Sequence, residues 1–113
     1  MITLGDTAFW ILTALASGRR HGYAILREVA DASGTAPKAT TLYASLERLE
    51  QQGLIRADGD EIVDGRARRY FAVTDAGIQR LRLQAAEFEE RARAARAALS
   101  RPASPRLTRT AAA

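Results

Sequence analysis

The clearest helical pattern in the chain lies in residues 40–55, TTLYASLERLEQQGLI. Its leucines Leu42, Leu46 and Leu49 recur at i, i+4 and i+7, which places them on one stripe of a helix. Gly53 follows at the point where a helix end needs a left-handed residue, and an extended apolar run then begins. The pattern therefore predicts an amphipathic helix that is followed directly by a strand.

The face opposite these leucines is short and polar, with one guanidinium and several small side chains. Such a face fits the major groove of DNA, and it is equally typical of an ordinary solvated helix surface. At about 100° per residue, the face and its flanks consist of Thr40, Thr41, Tyr43, Ala44, Glu47, Arg48 and Gln51. The neighbouring segments decide between the two interpretations.

Two further helices are predicted before this one. Asp6 is a suitable N-cap for a first helix over residues 7–17, and a second helix is predicted over residues 22–32. Pro37 disfavours helical geometry at the residue before it, so residues 35–38 connect the second helix to the third. Two short helices, a brief turn and a third amphipathic helix follow the order of a helix-turn-helix unit.

A β-hairpin is predicted after the third helix. Residues 54–57 form its first strand, residues 58–66 a polar loop with two glycines, and residues 67–73 a second strand rich in β-forming residues. The return arm begins with three arginines in four residues, Arg66-Ala67-Arg68-Arg69, whereas the outgoing arm and loop carry four acidic residues. The hairpin is therefore either a wing that contacts phosphates or an exposed hairpin whose charges compensate one another.

A long helix is predicted over residues 75–99, with Thr74 and Asp75 at its start. Its apolar residues step alternately by 3 and 4 through three heptads, which is the pattern of a helix–helix seam. At 1.5 Å per residue the helix is about 37 Å long, more than a domain of this size covers, so a second copy of the chain is the expected partner. The predicted dimerisation residues are Ile78, Leu81, Ala85, Phe88, Ala92, Ala95 and Leu99.

These patterns divide the chain into three segments. Residues 1–74 form the predicted winged helix-turn-helix domain, residues 75–99 the dimerisation helix, and residues 100–113 a disordered basic tail. The fold class is thus mainly α with a small β-hairpin. The net charge is +4, but residues 1–74 hold nine Lys/Arg and nine Asp/Glu, so the excess lies after the hairpin. A nucleic-acid partner must therefore be argued from where the charges lie, since the overall basicity supports it only weakly.

Composition excludes several classes of protein. The absence of cysteine excludes disulfides, thiolate metal sites and a cysteine nucleophile, and no apolar run is long enough to span a membrane. No catalytic or phosphate-loop motif occurs, so neither enzymatic activity nor a cofactor is expected. His21 is the only histidine and is expected to be a hydrogen-bonded structural residue at a helix start. The expected location is the cytoplasm.

The order of elements favours DNA binding by a winged helix-turn-helix dimer. In such proteins the third helix enters the major groove while the wing and nearby lysines and arginines contact phosphates or the minor groove. A two-fold dimer would read a pseudo-palindromic operator. The predicted base contacts on the helix are Thr40, Thr41, Tyr43, Ala44 and Arg48. The predicted phosphate contacts around it are Lys38, Arg66 and Arg68, with Arg19 and Arg20 as further candidates.

Three segments, ILTALASGRRHGYAIL, TLYASLERLEQQGLI and RARRYFAVTDAG, together resemble the PadR family of transcriptional regulators over roughly residues 9–82. The resemblance implies a cytoplasmic winged helix-turn-helix repressor that dimerises through its C-terminal helix. The single C-terminal helix is similar to the short subgroup, in which some members respond to aromatic or drug-like ligands. By motif, Thr41 and Tyr43 match the family's TLY, and Arg68, Arg69 and Tyr70 match its basic wing arm, which adds Arg69 to the predicted DNA contacts.

Three aromatic residues fall outside these motifs. Phe9 and Trp10 lie off the centre of the first helix's apolar stripe. Where this helix meets the last helix of a partner chain, they and Phe88 either line a pocket for a small aromatic effector or pack the dimer interface. Two other functions stay open for the chain as a whole. One is a dimeric scaffold for protein partners, and the other is an architectural DNA binder driven by the arginines after Asp75.

Overall fold

The computed structural model describes residues 4–102, which form four helices and a small antiparallel sheet. The predicted fold class is confirmed: a winged helix-turn-helix unit is followed by one long helix. Of the predicted tail, residues 103–113 lie outside the described residues. In chain order the elements are α1 (Asp6–Ala16), β1 (Arg20–His21), α2 (Gly22–Ser33), α3 (Ala39–Gln51), β2 (Ile55–Val63), β3 (Arg66–Val73) and α4 (Asp75–Ser100).

The third helix buries the leucine stripe that the sequence predicted. The leucines of α3 are buried, and Gly53 after it adopts the left-handed conformation with a φ of 75°. The prediction for the start of α1 was wrong. The N-cap is Gly5, which has no side chain to accept a capping hydrogen bond, and the predicted N-cap Asp6 is instead the first helical residue. There its carboxylate faces the positive end of the helix dipole, which is also a favourable position.

The hydrophobic core lies where α1, α2 and α3 meet the base of the sheet. Burying apolar side chains from all three helices against β2 and β3 supplies the main favourable free energy of folding. The core consists of Leu4, Ile11, Leu12, Leu15, Ile25, Val29, Leu42, Leu46, Leu49, Leu54, Ile55 and Phe71.

The wing is longer and more regular than predicted. Residues 58–66 were expected to be a loop, but β2 continues to Val63 and only Asp64 and Gly65 form the turn. Both turn residues have a positive φ, 53° and 76°, as two-residue hairpin turns require. The acidic residues and Gly59 had suggested a loop. In the structure a bulge between Ala57 and Asp60 absorbs Asp58 and Gly59, and pairing with β3 then continues to the tip.

The sheet has a third strand that the sequence patterns did not predict. β1 is only two residues long, too short for an alternating pattern, and pairs with β3 as Arg20↔Phe71 and His21↔Tyr70. The strand order is β1-β3-β2, so β3 is central. The wing is therefore joined through β1 to the start of α2 and is more than a free hairpin.

Hydrogen bonds of Thr74 connect the start of α4 to the residues that follow α3. Thr74 caps α4 by accepting a hydrogen bond from the Gly77 amide, and its hydroxyl donates to the Gly53 carbonyl at 2.6 Å. Gln84 is buried and its Oε1 accepts from the backbone amide of Leu4. Beyond Gln84 almost all of α4 is exposed, and the molecule measures 70 × 26 × 21 Å. Within residues 4–102 no helix is long and apolar enough to cross a membrane.

Candidate nucleic-acid interface

The exposed surface of α3 is a polar ridge between two concave surfaces. Thr40, Ala44, Glu47 and Gln51 are exposed on this ridge, opposite the buried leucines. On one side lies a groove against α1, and on the other lies a cleft against the wing. The ridge is thus accessible along the whole helix, as insertion into a DNA groove requires.

The groove against α1 has a volume of about 640 Å³ and gathers most of the predicted helix contacts. Thr40, Thr41, Ala44 and Arg48 all line it. Across the described part of the chain, no carboxylate lies within ion-pair distance of Arg48, so its charge is not neutralised locally. Arg80 of α4 also lines this groove, a contribution that sequence patterns could not reveal because the packing of α4 creates it.

Lys38 lies at the start of α3. It is the N-cap residue of the helix, with an exposed side chain that makes no capping hydrogen bond. With Thr41 it lines a shallow cavity between α1 and the α2–α3 connection. This cation therefore stands beside the N-terminal end of the ridge, where a helix in the major groove lies closest to the DNA backbone.

On the other side of the ridge, a cleft of about 560 Å³ separates α2 and α3 from the wing. We call it the wing cleft. His21 and Tyr43 line its helical side, and Arg66, Arg68 and Arg69 line its wing side. The structure thus brings four predicted DNA-binding residues, Tyr43 and the three arginines, to one concave surface. His21 was not among the predicted contacts.

Close packing of Tyr43 on Gly22 explains two motifs at once. A Cβ on Gly22 would lie 2.5 Å from the Tyr43 hydroxyl, so only glycine admits the ring at that distance. Tyr43 remains 51 % exposed, which leaves its other edge free for a ligand. The glycine of His21-Gly22-Tyr23 and the tyrosine of Thr41-Leu42-Tyr43 are therefore parts of one contact between α2 and α3.

His21 connects α2 to the wing. Its Nδ1 accepts from the Ala24 amide as the N-cap of α2, and its Nε2 lies 3.2 Å from Arg68 Nη1. The ring also meets Tyr70 edge-on at 5.5 Å. Burial, followed by the charge of Arg68, lowers the pKa of His21, although Glu61 acts in the opposite direction. This histidine thus has the hydrogen-bonded structural role at a helix start that was expected of it.

Arg19 and Arg20, in and beside β1, contact the base of the wing and the end of α1. The Arg19 guanidinium stacks on Tyr70 at 4.1 Å and donates to the Asp58 carbonyl, which ties the base of the wing to the α1–α2 connection. Arg20 donates to the Ala14 carbonyl and to Ser17, where it satisfies the end of α1. Arg20 thus has a structural function.

The wing's charges compensate one another only in part. Arg69 lies 3.9 Å from Asp60, and Arg56 lies 2.8 Å from Asp58. Within residues 4–102, neither Arg66 nor Arg68 has a carboxylate within 4.0 Å. Arg66, at the tip of the wing, and Arg68 are therefore available to an external anion.

Phe9 and Phe88 were expected to meet between two chains, but in the structure they contact each other within one chain. Phe9 contacts Trp10 and Phe88 edge-on, with ring centroids 5.3 and 5.2 Å apart. Phe9 and Trp10 are half-buried, and Phe88 is 39 % exposed. The cluster joins α1 to the middle of α4.

The residues of the predicted α4 seam differ in burial along the helix. Leu81 packs against the core and Ile78 is half-buried, so the first turns stabilise the monomer. Farther along, Ala92 is half-buried, whereas Ala85, Ala95 and Leu99 are exposed. In the described chain no group of His, Cys, Asp and Glu side chains could hold a metal ion.

Comparison with known proteins gives a consistent result. The transcriptional regulator PadR-like family matches residues 11–83. A transcriptional regulator of Mycobacterium tuberculosis is 38 % identical over 74 residues, which cover 66 % of this chain and 57 % of that protein. The chain spans about three fifths of the length of the curated relatives it matches.

Solved structures agree with the family match. A PadR family regulator from Clostridium difficile has the same fold, with a TM-score of 0.73 and 24 % identity, over 85 % of this chain and all of that one. Bacillus subtilis PadR, solved in complex with operator DNA, gives a TM-score of 0.61 and 25 % identity over 68 % of this chain and 45 % of that one. The chain belongs to the PadR-like family of transcriptional regulators.

Proposed function

We propose that the chain binds operator DNA as a homodimer and represses transcription from a promoter near its own gene, in the cytoplasm. In this proposal α3 enters the major groove and the wing contacts the adjacent backbone. The operator is pseudo-palindromic, because a two-fold dimer presents two copies of α3 about one helical turn apart.

The observation that supports this proposal most is the arrangement of unpaired cations around the ridge of α3. Arg48 lies along one side, and Arg66 and Arg68 lie across the wing cleft on the other. A helix in the major groove is flanked by the two phosphate backbones, so cations on both sides of a small polar ridge suit that ligand.

The operator complex of Bacillus subtilis PadR adds support, since it shows a DNA-bound relative with this fold. In our chain Thr40, Tyr43 and Ala44 would lie near base edges. Arg48 has the reach for guanine or for a phosphate. Glu47 is exposed on the same ridge without an ion pair in the described residues. Near DNA a carboxylate is tolerated where it accepts a hydrogen bond, as from cytosine N4.

The exposed half of α4 supports the homodimer. The helix has 26 residues, about 39 Å at 1.5 Å per residue, and the seam residues Phe88 and Leu99 are 39 % and 84 % exposed. A seam of this length with exposed apolar side chains is stable once a second helix covers it. The copy related by two-fold symmetry offers the same seam.

We further propose that a flat aromatic effector relieves repression by binding at Phe9, Trp10 and Phe88. Edge-on aromatic rings leave faces on which such a ligand stacks. The chain has one tryptophan, so its fluorescence reports on this cluster directly. Quenching by a panel of planar aromatic compounds, together with release of bound DNA, would support the proposal. Unchanged fluorescence across the panel would favour simple interface packing.

The proposal is tested by fluorescence anisotropy with labelled DNA from upstream of the chain's own gene, against unrelated DNA, at several salt concentrations. The helix variant Thr40→Ala/Arg48→Ala should relax the preference between the two DNAs. The wing variant Arg66→Ala/Arg68→Ala should weaken both about equally and reduce the salt slope by about 1 for each phosphate that is no longer bound. Arg93→Ala, on the exposed part of α4, removes a charge away from both surfaces and should change neither property.

The same titration separates the two alternatives. A protein scaffold would bind both DNAs weakly and respond to neither variant. An architectural binder would show a steep salt slope without sequence preference, and truncation at residue 99 would abolish much of its affinity. A true operator complex would survive that truncation nearly intact.

A further inference from the structure

In the wing cleft, each ring nitrogen of His21 lies 3.2 Å from an N–H group, one of Ala24 and the other of Arg68. The backbone amide of Ala24 can only donate, so His21 Nδ1 must be the acceptor of that 3.2 Å hydrogen bond. A neutral imidazole has one acceptor nitrogen, so the tautomer in which Nδ1 caps α2 carries its hydrogen on Nε2. Arg68 Nη1, 3.2 Å from Nε2, is also a donor because a guanidinium accepts no hydrogen bond.

In this tautomer the contact between His21 Nε2 and Arg68 Nη1 is not a hydrogen bond. Two N–H groups at that distance gain nothing from each other, and an acceptor beside both would satisfy them together. Nor does a protein carboxylate fill the place, since Arg68 has no ion pair within the described chain. Glu61, opposite Arg68 on β2, is the nearest acidic candidate by register but forms no such pair.

We propose that one backbone phosphate of the bound DNA completes this cluster, accepting hydrogen bonds from His21 Nε2 and Arg68 Nη1 together. His21 then becomes a DNA-contacting residue, and the phosphate links the helix-turn-helix unit to the wing. This inference rests on the proposed function and assigns a phosphate-binding site, which we call the phosphate seat, to His21 and Arg68.

The groups around His21 make the consequence for protonation definite. Arg68 and Tyr70 face it from β3, Glu61 lies on β2, Tyr43 lines the same cleft from α3, and Tyr23 lines it from α2. In the free protein, burial and Arg68 hold the pKa of His21 below its ordinary value. A phosphate at hydrogen-bond distance favours the protonated ring, so DNA binding should raise this pKa. Affinity for DNA should then increase as the pH falls, by about tenfold per subunit for each unit of that rise.

The test uses NMR of the imidazole of the full chain, without a histidine tag. Because the chain has one histidine, its ring signals need no assignment. Long-range ¹H–¹⁵N correlation should show the Nε2–H tautomer in the free protein. Titration with and without upstream DNA should show a higher pKa in the complex. The Nδ1–H tautomer, or a pKa that DNA leaves unchanged or lowers, would overturn the inference.

Two variants and one anion complete the test. His21→Asn keeps a capping side chain for α2, and it should bind DNA with an affinity nearly independent of pH between 5.5 and 8. If its affinity instead rises at low pH as in the wild type, His21 is not the group involved. Inorganic phosphate alone should leave the His21 pKa unchanged at concentrations where DNA raises it; an equal rise would assign the seat to free anions rather than to DNA.

Arg68→Ala is the matched variant on the wing side. It removes the neighbouring cation, so the His21 pKa of the free protein should rise, and the further rise on DNA binding should become smaller. If DNA raises the pKa of this variant as much as that of the wild type, the shared phosphate is excluded. The outcomes separate the two proposals: a wild-type chain that prefers no DNA sequence refutes the proposed function, whereas sequence-specific binding with an unchanged His21 refutes only the phosphate seat.

Discussion

At Gly22 and Gly77, a single added Cβ atom would collide with neighbouring groups. Gly22 lies beneath the end of the Tyr43 ring, whereas a Cβ on Gly77 would lie 2.1 Å from the Leu54 carbonyl oxygen and 2.7 Å from Val73. A tyrosine ring can rotate away, but a backbone carbonyl within a packed corner cannot. The same residue type is therefore required for the position of the Tyr43 ring at one site and for backbone packing at the other.

Replacing each glycine by alanine should separate these roles. Gly77→Ala should lower the free energy of unfolding by about 1–3 kcal/mol, because the added methyl overpacks the start of α4. Gly22→Ala should change stability by less than about 1 kcal/mol, since alanine's higher helix propensity offsets the shift of Tyr43. Denaturant unfolding measures both. Equal losses would show that the Tyr43 ring is as immovable as the backbone.

His21 should make stability depend on pH. Its pKa is lowered in the folded chain, so the unfolded chain binds the proton more readily. The contribution is fully present above the ordinary histidine pKa of about 6.5 and is lost as the pH falls below it. As the pH is lowered from about 7.5 to about 5, the unfolding midpoint of the wild type should decrease, and that of His21→Asn should decrease much less. Parallel curves for the two proteins would contradict this expectation.

Among the elements, α3 was predictable from the sequence and the wing was only partly so. Leu42, Leu46 and Leu49 identify α3 because a buried stripe imposes a local period. The wing tip has no buried face, so its strands carry acids and arginines and show no alternation that marks a strand. β2 is ordered there because it pairs with β3. β1 forms only because it pairs with β3 across some 50 residues of sequence. The wing cleft, which needs β1 to position His21, was for that reason not predictable.

The turn of the wing offers a test of this element. Gly65 has a φ of 76°, which costs an alanine about 1 kcal/mol, and nothing else lies near its Cβ position. Gly65→Ala should therefore fray the wing while leaving the core intact. We expect weaker binding to both specific and unrelated DNA, with thermal unfolding of the helical core nearly unchanged. A loss confined to the specific DNA would instead implicate the turn in base recognition.

At the scale of the whole molecule, α4 is the element that one chain leaves incomplete. Its first turns belong to the core, but its distal half presents small and apolar residues to solvent. The heptad steps predicted a seam from sequence alone. Phe88 and Leu99, which lie on this seam and are exposed in the single chain, are consistent with a partner helix.

Two alanines provide a matched test of the dimer. Ala95 lies on the predicted seam and Ala97 on the opposite face, and both are exposed in the single chain. Ala95→Glu should raise the dimer dissociation constant on the order of tenfold or more, because two-fold symmetry brings the charge into the interface twice. Ala97→Glu should have little effect. Sedimentation equilibrium compares them, and an equal response would argue against this seam.

The proposed function depends most on whether α3 reads sequence. The direct measurement is the ratio of dissociation constants for DNA from upstream of the chain's own gene and for a shuffled duplex of the same composition, at one physiological salt concentration. We expect the upstream DNA to bind on the order of a thousandfold more tightly or better. A ratio near one, with the chain dimeric and folded, would contradict the assignment of α3 as a recognition helix.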